Sequence, residues 1–130
     1  GDVVRMDGEG RIFIQGRLKD VIINESGENI YPDDLEDQFG SLPGVEEFCV
    51  LGVKRGKRDM NEDVTLVANV GAAYNDPDKL QKLTADLRRI NTRLPLHTQL
   101  NRALVTDTAL PLVNGIKVKR LANIVIAIVI

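Results

Sequence analysis

The chain reads as a small α+β domain, a sandwich of helices on a three-stranded sheet with a β-hairpin at its N-terminal end. Three observations point there. Short β-branched apolar runs alternate with segments of helical periodicity. Both helical segments open on a proline, Pro32 and Pro77, and proline suits the first helical turn because its fixed φ matches and its missing N–H would be unpaired there anyway. Near the start, the glycine-rich turn Asp7-Gly8-Glu9-Gly10 separates two strand-like segments.

Taken in order, Val3 to Met6 and Arg11 to Gln15 form the hairpin strands. Gly16 breaks the pattern, and Leu18 to Ile23 resumes as an extended apolar segment. Asn24 to Asn29 is a polar loop holding Gly27. A helix starts at Pro32; Asp33, Asp34 and Glu36 crowd its positive end, where carboxylates are favoured. Leu35, Phe39 and Leu42 give it a buried stripe, and Leu42-Pro43-Gly44 ends it. Val45 to Val53 follows as a strand, apolar enough over Phe48 to Val53 to be covered on both faces. Lys54 to Glu62 is a charged loop and Val64 to Val70 a second strand. Asp76-Pro77 caps a long helix with Leu80, Leu83, Leu87, Ile90 and Leu94 on one face. Leu100 to Val105 is the third strand, Thr106 to Ile116 a loop, and Lys117 onward another helix or strand. The wholly apolar Ile124 to Ile130 has three readings: packed on the domain, paired as an edge strand, or covering a surface. There is no internal repeat and no internal linker.

At 130 residues this is a single domain with 43% apolar and 28% charged residues, ordinary for a globular protein. Its formal charge of -2 argues against general affinity for nucleic acid or anionic membranes. A single cysteine, Cys49, cannot form an internal disulfide, and no stretch of about 20 apolar residues is present to span a bilayer. A cytoplasmic location, at most peripheral to a membrane, is therefore expected. The first residue is Gly1, not Met, as expected of an excised piece. No metal site is expected, because the lone His97 and lone Cys49 make neither a ligand cluster nor a nucleophile pair. Gly52 to Lys57 is one residue short of a P-loop, with Arg58 where a hydroxyl residue is needed.

The densest stretch is Gly16-Arg17-Leu18-Lys19-Asp20-Val21-Ile22, then Gly27-Glu28-Asn29-Ile30-Tyr31-Pro32, then Leu35-Glu36. A domain needing only a core has no use for so many special residues so close together. Their order resembles the core motif of the small C-terminal domain of the acyl-adenylate-forming enzymes, among them acyl-CoA synthetases, peptide-synthetase adenylation domains and luciferases. Gly1-Asp2 is similar to the end of that family's nucleotide-binding motif. Leu110-Pro111 with Lys117 is similar to its C-terminal lysine motif, and Ile116-Lys117-Val118-Lys119-Arg120 looks like the long-chain fatty-acid type.

The resemblance implies roles, residue by residue. Residues 1–130 would be the C-terminal lid domain of an AMP-forming acyl-CoA synthetase, the N-terminal domain lying elsewhere and binding most of the ATP and Mg. Lys117 would be the catalytic lysine that bridges substrate carboxylate and α-phosphate during adenylation, with Lys119 as fallback; a cation that holds two anions offsets charge developing in the transition state. Asp2 would accept hydrogen bonds from both ribose hydroxyls, a carboxylate having one oxygen for each donor of a vicinal diol. Arg17 would back up the ribose and phosphate contact with its five-donor fork, or else pair with Asp20 or Glu36 on the surface. Lys19 would be the hinge about which the domain rotates between the two half-reactions. Gly27 would sit in the loop that lines the pantetheine tunnel in the second step. The co-substrate would be CoA, with an acyl carrier protein as the competing acceptor; the basic run Lys54, Arg55, Lys57 and Arg58 could face either. Two alternatives stay open: an acyl-carrier-protein synthetase or amino-acid adenylation domain, and a non-enzymatic α+β binding or regulatory domain.

Overall fold

A computed structural model describes residues 3–6, 12–15, 21–54, 61–107, 110 and 126–128, with side-chain surroundings for 21–52, 61–107 and 110. The N-terminal hairpin is present: β1 (Val3–Met6) and β2 (Ile12–Gln15) pair antiparallel with Val4 opposite Ile14. After it come the two-residue strands β3 (Ile22–Ile23) and β4 (Asn29–Ile30), then α1 (Pro32–Phe39), β5 (Glu47–Lys54), β6 (Glu62–Asn69), α2 (Pro77–Arg93) and β7 (Arg102–Thr106). The three expected strands form the centre of a mixed sheet, with β5 and β6 antiparallel from Glu47 opposite Asn69 to Lys54 opposite Glu62. β6 and β7 run parallel, so the chain must cross over between them, and α2 is that crossover. The hairpin extends this sheet through a parallel contact of β1 with β5, and β8 (Ile126–Ile128) adds antiparallel to β7, giving the order β2-β1-β5-β6-β7-β8. Of the three readings of the apolar tail, strand pairing is the one found for Ile126–Ile128.

Both helices pack on one face of the sheet. Leu35 and Phe39 of α1 and Leu83 and Leu87 of α2 share a core with Val64, Leu66 and Ala68, alternate residues of β6, and with Ala103 and Val105 of β7. The residues between them, Leu51, Val67 and Leu104, are buried as well, as expected of strands covered on both faces. Helix α2 begins as its sequence predicts: the Asp76 carboxylate accepts from the backbone N–H of Asp78 at 3.1 Å and of Lys79 at 3.2 Å, and Pro77 follows it.

Two boundaries differ from the sequence reading. Helix α1 stops at Phe39 because Gly40 takes φ +59°, where its N–H reaches back to the Glu36 carbonyl. Leu42 still reaches the core, from the loop rather than from a helical stripe. Strand β6 begins at Glu62 rather than Val64, and both of its acidic residues are buried. Arg102 of β7 makes this tolerable for Asp63 by donating from Nη2 to Oδ2 at 2.8 Å.

Candidate functional site

Of the residues singled out in the sequence, Gly27 is the one that falls among those described. Asp2, Arg17, Lys19, Lys117 and Lys119 lie outside them, as do Arg55, Lys57 and Arg58 of the basic run. The site that can be built is therefore the Gly27 loop and what holds it.

The loop is the turn of the β3–β4 ribbon, in which Ile22 pairs with Ile30 and Ile23 with Asn29. Ile22 and Ile30 point into the core and root the ribbon, while Val21 and Ile23 on the alternate side are exposed. Between the strands, Asn24 organises every turn. Its Oδ1 accepts from Ser26 N–H at 3.0 Å and from Glu28 N–H at 2.9 Å. Its backbone carbonyl accepts from Gly27 N–H at 2.9 Å, and its own N–H donates to the Glu28 carbonyl at 3.0 Å. This closed turn needs a positive φ at Gly27, which has +77°, a conformation that costs residues with a side chain but not glycine. A Cβ placed there would meet nothing within 4 Å, so the requirement is backbone conformation and not space inside this domain.

The ribbon is tied to the far end of the helical layer. Asn24 Nδ2 donates to the His97 carbonyl at 2.8 Å, in the short 3-10 turn Leu96–Thr98 that follows α2. His97 Nε2 stands 3.7 Å from Glu28 Oε2 on the other side of the loop. Beside this junction an open cleft of about 310 Å³ runs between the start of α1 and the turn after α2, lined by Ile30, Tyr31, Leu35, Leu94, Pro95 and Thr98. Asn29, Asp34 and Gln38 complete its lining, and Tyr31 is 53% exposed there. No cluster of three or more His, Cys, Asp or Glu side chains able to hold a metal is found among the described residues.

A second organised corner lies at the opposite end of β5. Glu47 Oε2 accepts from Asn69 Nδ2 at 3.0 Å and from Leu110 N–H at 3.1 Å, and Asn69 Oδ1 accepts from Gly71 N–H at 3.0 Å. Leu110 opens the segment that carries Pro111 and, further along, Lys117.

No protein-family model matches the chain. It is 49% identical over 53 residues to a feruloyl-CoA synthase of Amycolatopsis sp, a match covering 41% of this chain and 11% of that protein. A medium/long-chain-fatty-acid–CoA ligase of Mycobacterium tuberculosis is 29% identical over 112 residues, 86% of this chain and 19% of the relative. Its relatives are acyl-CoA ligases. Among solved structures, a fatty acyl CoA synthetase of Mycobacterium tuberculosis superposes with a TM-score of 0.52 at 28% identity, over 92% of this chain and 22% of that one. ATP-bound MatB from Rhodopseudomonas palustris gives 0.51 at 29% identity, over 88% and 21%. The chain thus spans only a tenth to a fifth of the length of the curated ligases just named. The sequence reading placed the polar loop at its glycine but missed Asn24 and Glu47. Asn24 carries a legible signal: an Asn two residues before Ser26 and four before Glu28 is spaced to clasp a turn. Glu47 carries none, because its partners Asn69 and Leu110 are distant in sequence.

Proposed function

We propose that the chain is the C-terminal lid domain of an ATP-dependent, AMP-forming acid–thiol ligase that activates a fatty acid and passes the acyl group to CoA. The observation that carries the reading is the ordered glycine loop at Gly27 in a fold that follows fatty acyl CoA synthetase over 92% of its length. In the first half-reaction a carboxylate oxygen attacks the α-phosphorus of ATP, forming a C–O–P link and expelling pyrophosphate. Lys117 would stand between the two anions, and Asp2 and Arg17 would hold the ribose and phosphate. In the second, the thiol sulfur of CoA attacks the acyl carbon; a C–S bond forms, AMP leaves with the oxygen, and the thiol proton goes to solvent. Rotation about Lys19 would exchange the Lys117 segment for the Gly27 loop between these steps.

On this reading the metal and most of the triphosphate contacts belong to an N-terminal domain, which would be the lid's first partner. The exposed apolar side chains Val21, Ile23, Tyr31 and Leu96 around the loop suit a face that meets another surface in one of the two orientations. No described helix is long and apolar enough to cross a membrane, and the placement proposed is cytoplasmic.

The test is pyrophosphate exchange into ATP by the intact parent enzyme, wild type against Lys117→Ala, across acids of increasing chain length. A loss of roughly 100-fold or more with the protein still folded is expected, as for other preorganised charge-stabilising groups. Near-normal exchange would remove Lys117 from the chemistry.

A further inference from the structure

Asn24 is 6% exposed, yet it is a polar side chain at the base of a surface loop. Burial of an amide is costly unless its donors and acceptors are used, and here they are. Oδ1 takes two backbone N–H groups, Ser26 and Glu28, while Nδ2 reaches the His97 carbonyl 73 residues away. With the Gly27 N–H on its main-chain carbonyl, three consecutive amides of the loop end on this one residue. The amide orientation is fixed by these partners, since a flip would set NH2 against two N–H groups. Few residue types can replace it: aspartate keeps the two acceptances and loses the donation to His97, serine is too short to span the turn to the neighbouring element, and glutamine is one methylene too long for the i to i+2 and i+4 geometry. The anchor at the far end is itself fixed, because Thr98 donates to the Pro95 carbonyl from both N–H at 2.8 Å and Oγ1 at 2.9 Å.

We infer that Asn24 is the positioning residue of the thiol-transfer step, holding the Gly27 loop in its working shape before the loop meets the acceptor. The inference rests on the reading of that loop given under the proposed function. A domain that swings between two orientations delivers a loop to the reacting centre only as well as the loop is ordered on arrival. An unordered loop would have to be ordered at the moment of reaction, at the expense of rate. The clasp removes that step: the loop, the turn after α2 and the helical layer travel as one body. Asn24 touches neither reacting atom and acts through the loop backbone.

The experiment separates the two half-reactions in the full-length enzyme. For Asn24→Ala, pyrophosphate exchange should stay within about twofold of wild type, while thioester formation from preformed acyl-adenylate and CoA falls roughly ten- to hundredfold. Amide exchange at Ser26, Gly27 and Glu28 should accelerate in parallel. Asn24→Asp, which retains the turn and gives up only the tie to His97, should show an intermediate loss. Equal loss in both half-reactions, with a lower melting temperature, would overturn the assignment and leave Asn24 a stability residue. Unchanged thioester formation despite faster amide exchange would overturn it as well. A wild-type enzyme that forms no thioester from any acyl-adenylate would overturn the ligase reading and this one with it, whereas an active wild type with an equally active Asn24→Ala variant overturns this one alone.

Discussion

Replacing Asn91 by alanine should destabilise the domain far more than its place on a helix suggests. Asn91 lies in the last turn of α2, 6% exposed, and its side chain clasps Leu100, in the segment that leads into β7. Oδ1 accepts from Leu100 N–H at 2.7 Å and Nδ2 donates to the Leu100 carbonyl at 3.3 Å, with Leu100 itself buried. Alanine would leave both main-chain groups without their partner. Each unpaired buried group costs about 1–3 kcal/mol, and the longer bond to the carbonyl belongs at the low end, so a loss of about 2–4 kcal/mol is expected. With an unfolding entropy of about 2.1 cal/mol/K per residue, a chain of this length should melt about 7–15 °C lower. The assay is denaturant and thermal unfolding of the 130-residue chain beside Thr92→Ala. Thr92 is the exposed neighbour, and its variant should stay within about 0.5 kcal/mol of wild type. An Asn91→Ala variant equally close to wild type, with the same denaturant slope, would refute the reading of the clasp as a buried contact that stabilises the fold.

Other expected outcomes follow from the same geometry. Gly27→Ala meets open space but must adopt φ +77°, so it should lose about 1–2 kcal/mol of stability by chemical denaturation; in the full enzyme its thioester step should fall well beyond that, with pyrophosphate exchange kept. Asp76→Ala removes the acceptor for two first-turn amides of α2 and should cost about 1 kcal/mol, read from the denaturation midpoint. Glu47→Ala strands Asn69 Nδ2 and Leu110 N–H and should cost about 1–3 kcal/mol, with Glu47→Gln recovering part of the loss because an amide oxygen can still accept.

The elements set by local chemistry were legible in the sequence. Asp76-Pro77 announces α2, the leucine spacing gives its buried face, and Gly27 marks a turn that only positive φ can close. Non-local choices were not. Glu62 reads as loop and Asp63 as outside the strand because nothing nearby in sequence offsets a buried carboxylate, and the partner of Asp63, Arg102, comes from a strand 39 residues on. Asn91 and Asn101 each clip the backbone of another segment, as Asn24 does beyond its own turn, and a lone polar residue looks the same whether it faces water or a distant backbone group. Asn101 is the plainest case, its Oδ1 taking the Val64 N–H at 2.7 Å across 37 residues. Of the candidate site, the turn was legible by its glycine, while the groups that fix it needed the fold.

The pairing of β8 with β7 carries a consequence for how this domain behaves when handled by itself. The middle of β7 is apolar, Ala103, Leu104 and Val105 all being buried, and β8 covers its free hydrogen-bonding edge with Ile128, Ala127 and Ile126 in register. Stripped of that cover, β7 would present a row of open amides and carbonyls flanked by aliphatic side chains, the template on which foreign strands add and aggregates grow. Paired in this way, Ile126–Ile128 guards the sheet against self-association.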